Sequence, residues 1–132
     1  MIVERKQTRR RKTSNAGELL QTAVVRYLAQ ALPPTAFFSL FPLGAGGRFH
    51  GLRMRDLGVR EGFPNLLVLY DGCAYCIELR PGGGLLLPSQ RDCYAALQDA
   101  RVPVTVARSL ADVQHFLSEE CALPMRNWRS AA

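Results

Sequence analysis

Two apolar runs, Asn65–Tyr70 and Cys73–Arg80, meet at Asp71-Gly72. No other stretch limits the fold of this chain so strongly. A two-residue loop of this kind needs a left-handed backbone at both positions, which Asp-Gly supplies, and it joins antiparallel strands. Such a turn pairs Tyr70 with Cys73, and outward steps bring Asn65 directly opposite Glu78. Cross-strand partners share a face with Cβ atoms about 5 Å apart, and residues two apart on one strand share it too. Asn65, Glu78 and Arg80 therefore gather at the open end of the hairpin, with Ile77 and Leu79 turned the other way. Two readings stand at this point. The oxygen-bearing side chains could hold a hard cation, with the guanidinium meeting a phosphate. Equally, Glu78 and Arg80 could be a surface ion pair of little energetic weight.

The flanking sequence supplies the other elements. Asn15 and Glu18 have capping-box spacing ahead of a stripe of Leu19, Leu20, Ala23, Val24, Tyr27, Leu28 and Ala31, which Pro33-Pro34 ends. Phe37–Phe41 reads as a short strand, Gly44–Gly47 as a loop, and Arg48–Leu57 as a short helix ending near Gly58. Pro81-Gly82-Gly83-Gly84 breaks the chain. Pro88-Ser89-Gln90 opens a helix running to about Ala100, Val102–Arg108 is a strand, and Ser109 caps a helix carrying Leu110, Val113, Phe116 and Leu117. The order helix, strand, hairpin, helix, strand, helix makes one mixed α/β domain. Its expected divisions are a basic, flexible arm over 1–13, the domain over 14–121 and a C-terminal tail over 122–132.

At 132 residues the chain can bury a core without metals or disulfides. No apolar run approaches the roughly 20 residues of a membrane span, and the basic N-terminal stretch lacks the apolar centre of a signal peptide; a cytoplasmic protein is expected. The net charge of +6 is uneven. Arg5, Lys6, Arg9, Arg10, Arg11 and Lys12 stand against Glu4 alone, so nearly all of the excess lies in the arm. Such an arm either meets nucleic-acid phosphates or only solubilises the chain. Cys73 and Cys76 have C-x-x-C spacing, but within a strand residues three apart point to opposite faces. The four cysteines read better as small buried hydrophobes than as zinc ligands.

In order along the chain, Glu18, Gly62-Phe63-Pro64-Asn65, Glu78-Leu79-Arg80 and Ser89-Gln90 resemble the VRR-NUC family of PD-(D/E)XK nucleases. That pattern has a first-helix glutamate, then G-x-P-D, then E-x-K, then a glutamine opening the next helix. The closing VPVTVARSLADVQHFL is similar to the family's last strand and helix. The resemblance spans about Asn15 to Leu117 and implies a restriction-endonuclease-like α/β core, a mixed central sheet flanked by helices.

It also implies a Mg²⁺- or Mn²⁺-dependent endonuclease cutting DNA, at branched structures in particular, as a homodimer. Asn65, Glu78 and the Leu79 carbonyl would be the metal ligands, with Glu18, Asn65, Glu78, Arg80 and Gln90 as the catalytic set. Two positions depart from the pattern. Asn65 stands where the family has aspartate, which removes one negative charge. Arg80 stands for lysine, and no lysine follows Lys12 to replace it. A nuclease-fold domain that binds DNA without cutting it is the alternative, and a small α/β interaction protein a third. Glu18 could equally be a first-turn capping glutamate, Gln90 a polar first-turn residue, and Glu61 a solvated loop acid.

Overall fold

The computed structural model describes residues 2–41, 56–58 and 60–129, with side chains described from residue 16 onward. The expected Gly44–Gly47 loop and nearly all of the Arg48–Leu57 helix lie outside the described residues. The elements run α1 (Ile2–Ala31), β1 (Phe37–Leu40), β2 (Leu66–Tyr70), β3 (Cys73–Leu79), α2 (Pro88–Asp99), β4 (Val104–Ala107) and α3 (Leu110–His115), the last continued by one π-helical turn, Phe116–Glu120. Among the described residues, no helix is long and apolar enough to cross a membrane.

The chain divides into two compact units. One comprises Met1–Pro34, Leu79–Gly83 and Ala107–Ala132; the other comprises Thr35–Glu78 and Gly84–Val106.

The strands lie in the order β1-β2-β3-β4, all in the second unit but for Leu79 and Ala107, the last residues of β3 and β4. β1 and β2 pair antiparallel, Phe37 with Leu69 through Leu40 with Leu66. β2 and β3 pair antiparallel with Tyr70 opposite Cys73 and Leu66 opposite Ile77, the register set by the Asp-Gly turn. Asp71 and Gly72 have φ of 50° and 76°, the double left-handed geometry that matches the twist of paired strands. Along β3 and β4, Cys76 N–H donates to Pro103 O and Arg80 N–H to Ala107 O, each at 2.9 Å. Both partner numbers rise together, so this pairing is parallel and needs the crossover that α2 supplies. Leu66, Val68, Cys76 and Ile77 are buried.

α2 ends without a glycine. Arg101, at φ 64°, takes the left-handed position, while Val102 N–H reaches Leu97 O at 2.9 Å and Arg101 N–H reaches Gln98 O at 3.0 Å. This pair of bonds is a Schellman motif, which satisfies carbonyls the helix leaves open.

In the first unit α1 packs on α3, burying Val24, Tyr27, Leu28 and Ala31 with Val113, Phe116 and Leu117. Two sequence expectations are corrected here. The helix does not begin at Asn15 but runs from Ile2, taking in the residues set apart as a basic arm. That stretch holds no Gly or Pro before Gly17 and is rich in Arg and Lys, good helix formers, so Asn15 sits inside the helix. The buried stripe is also shorter than the apolar pattern, since Leu19 is 70% exposed. Ser109 caps α3 as expected, accepting from Asp112 N–H at 3.2 Å.

The segment after Pro124, silent in the sequence, has a place in this unit. Arg126 N–H donates to Ala31 O at 2.7 Å and Arg126 Nε to Leu32 O at 2.9 Å, a backbone and a cationic donor on the carbonyls that end α1. Trp128 meets Tyr27 edge to face, centroids 5.4 Å apart.

Candidate active site

Register alone places the central pair. Continuing the β2–β3 ladder one step past Leu66 and Ile77 puts Asn65 opposite Glu78, and the side chain of Glu78 reaches across: its Oε2 accepts the Asn65 backbone N–H at 3.1 Å. Each residue is only 4% exposed. Glu78 is thus a buried carboxylate, and a buried ionised group must be hydrogen-bonded or meet a cation to be tolerated. On its other side Asn65 is tied to β1, Phe41 N–H donating to Asn65 O at 2.7 Å. Phe41, Asn65 and Glu78 therefore form a row across three neighbouring strands.

Gly62 explains how the loop before Asn65 is fixed. Its φ is +83°, and a Cβ there would lie 2.3 Å from Ser89 O and 2.7 Å from Gln90 N. Only a residue without a side chain lets this loop touch the first turn of α2. The contact sets Gly62 against the backbone of Ser89 and Gln90. The amide oxygen of Gln90 accepts the Leu87 N–H at 2.9 Å, the backward half of a capping box, so Gln90 does have the first-turn structural role weighed for it.

Leu79 and Arg80 follow Glu78 directly; Leu79 is buried, Arg80 half-buried, and both belong to the first unit. Glu18 lies exposed on α1 in that unit, beside an open groove of about 450 Å³ that Gln21, Thr22, Val25 and Arg26 also line. With helix on both sides of it, Glu18 caps no helix start. Glu61 is exposed. The side chains of Arg5, Lys6, Arg9, Arg10, Arg11 and Lys12 lie outside those described.

Cys73 is exposed and Cys76 buried, the opposite-face arrangement expected of strand neighbours three apart. Burial and then the neighbouring Cys93 push the Cys76 thiol up to about 11, which disfavours the thiolate that zinc needs. Among the described residues, no three His, Cys, Asp or Glu side chains gather into a metal-binding group. The donors of the second unit at this point are nonetheless of the type a hard cation takes: the Glu78 carboxylate and the Asn65 carboxamide oxygen. They fit Mg²⁺ or Mn²⁺ by chemistry while supplying a single negative charge.

Phe41 and Phe63, which no motif marks as site residues, pack their rings edge to face at 5.9 Å. The signal available was the place of Phe63 inside the Gly62–Asn65 motif.

No family model matches the chain, and no curated protein matches it. A solved structure described as a VRR_NUC domain protein superposes with a TM-score of 0.63, covering 82% of this chain and 89% of that one at 17% identity. The chain has the VRR-NUC fold. The Asn65–Glu78 pair and the contact of Gly62 with the first turn of α2 both lie in the second unit.

Proposed function

We propose that this VRR-NUC-fold chain is a metal-dependent DNA endonuclease, with Asn65, Glu78 and the Leu79 carbonyl holding Mg²⁺ or Mn²⁺. The observation that carries the reading is the buried Glu78 carboxylate facing Asn65 at the hairpin's open end. A carboxylate held there supplies the charged oxygen by which hard cations are mainly bound. Such a cation would polarise a scissile phosphate and lower the pKa of an attacking water. The chain's own residues set the limits. Glu78 contributes the charge that binds, and Asn65 contributes a neutral oxygen and so binds more weakly than aspartate would. Arg80 offsets phosphate charge but stays protonated, so it cannot act as a base. Glu18 and Gln90 complete the proposed catalytic set. Arg5, Lys6, Arg9, Arg10, Arg11 and Lys12 hold the DNA backbone, and the resemblance favours branched DNA and a homodimer.

A second reading, DNA binding without cleavage, is favoured by one observation: among the described residues no three acidic, His or Cys side chains converge. Nicking of supercoiled and branched DNA with Mn²⁺ against chelator separates the two. Under the first reading Mn²⁺ supports nicking and Glu78→Gln abolishes it. Asn65→Asp raises both the calorimetric Mn²⁺ affinity and the nicking rate, and Arg80→Lys adds to the rate non-additively, as neighbours in one site do. If Asn65→Asp binds no more Mn²⁺ and cuts no faster, the pair is not a metal centre.

A further inference from the structure

Beside the buried polar pair the second unit keeps two aromatic rings in solvent. Phe41 is 43% exposed and Phe63 38%, and each packs on the other edge to face, 82° between ring planes. Single exposed apolar residues are ordinary, but grouped ones mark contact surfaces. Their positions tie them to the site. Phe41 is the cross-strand neighbour of Asn65, joined by the 2.7 Å bond from its N–H. Phe63 lies two residues before Asn65, in the loop locked against α2 at Gly62. A tight turn, Phe63 N–H to Arg60 O at 3.4 Å, puts the exposed Arg60 three residues before Phe63 in the same loop.

Two positioned aromatic rings with a cation in the same loop are what a single-stranded nucleic acid needs: π-faces for bases and positive charge for the backbone. A paired duplex keeps its bases stacked on one another and cannot use such rings, whereas an unpaired nucleotide can. We propose that Phe41, Phe63 and Arg60 form a stacking platform for an unpaired base of DNA lying next to the Asn65–Glu78 site. The platform makes single-stranded arms and junctions better ligands than blunt duplex. This inference rests on the reading of the chain as a DNA-binding nuclease-fold protein, which it deepens by naming the feature of the DNA that is recognised.

The test uses the full chain in chelator, so that nothing is cut. Affinity is measured for a blunt duplex and for the same duplex carrying a single-stranded thymine arm, with wild type, Phe63→Leu and Phe63→Trp. The wild type binds the armed duplex more tightly. A stacked base contributes about tenfold in affinity, so Phe63→Leu lowers the armed-to-blunt preference by about that factor and Phe63→Trp restores it. An aminopurine placed in the arm is quenched on binding wild type and less so on binding Phe63→Leu. Thermal melting and sedimentation of each variant accompany the titrations. A preference that does not change in Phe63→Leu overturns the platform while leaving the nuclease-fold reading intact. A change of oligomeric state in Phe63→Leu also overturns it, since the rings would then face a second copy of the chain. If wild type binds neither DNA, the underlying reading fails together with the platform.

Discussion

Replacing Gly62 by alanine tests whether the loop carrying Asn65 is truly locked to α2. The added Cβ would meet Ser89 O at 2.3 Å, Ser89 C at 2.4 Å and Gln90 N at 2.7 Å, all backbone atoms that cannot swing aside as a side chain can. Loop and helix must part by about 1 Å to reach ordinary carbon contacts of about 3.5 Å. Forcing atoms into a packed site costs about 1–3 kcal/mol, and an L-residue at φ +83° adds about 1 kcal/mol. The sum of about 2–4 kcal/mol corresponds to a fall in Tm of about 10 °C for a domain of this size. Gly72→Ala is the internal control: its φ is +76° with nothing within 4 Å, so only the backbone cost of about 1 kcal/mol remains. Differential scanning calorimetry of both variants decides the matter. If Gly62→Ala melts no lower than Gly72→Ala, the close approach to Ser89 is not a constraint on the folded protein, and the locking of this loop to the first turn of α2 loses its explanation.

Arg101→Gly should raise Tm by a few degrees, since glycine takes the left-handed position at the end of α2 without the roughly 1 kcal/mol an L-residue spends there; a drop would show that the Arg101 side chain matters more than its backbone. Deleting residues 1–12 removes six cations, so the slope of log K against log salt for DNA should shrink by about 5 if all six meet phosphates, and an unchanged slope would leave the basic stretch no role in binding. Burial raises the Cys76 thiol from 9.0 to about 11. The neutral form that the fold favours is therefore fully populated below about pH 9, and its contribution is lost as pH climbs toward about 11. Melting curves across that window should fall more steeply for wild type than for Cys76→Ala.

What could be read in advance was what local chemistry decides. Asp71-Gly72 set the β2–β3 register because its backbone preference holds wherever the hairpin sits, and from that register Asn65 and Glu78 followed. Ser109 capped its helix for the same kind of reason. The hidden parts depend on partners distant in sequence or on residues acting against type. Arg101 occupies a position that glycine usually signals. Asn15 and Glu18 have capping spacing, yet good helix formers lie ahead of them and the helix runs through. The nearness of Phe41 to Asn65 needed the β1–β2 register, and no short turn connects those strands to announce it. Arg126 gave no periodic signal because its role is to satisfy carbonyls that end a helix far earlier in the chain.

That last contact has a bearing on how the protein is made. Ala31 and Leu32 leave the ribosome with their carbonyls unmet, and Arg126, which donates to both, is synthesised some 94 residues later. At about 5–20 residues per second that is a delay of roughly 5–20 s. The unit that α1 begins is built from three separated pieces of chain, so during this interval its long helix waits without the strap that closes its end, while the hairpin, turned by its own two residues, can form as soon as it emerges. Nascent chains stalled before Arg126 should therefore show a protected hairpin and a protease-sensitive α1, an order of assembly opposite to the order of synthesis.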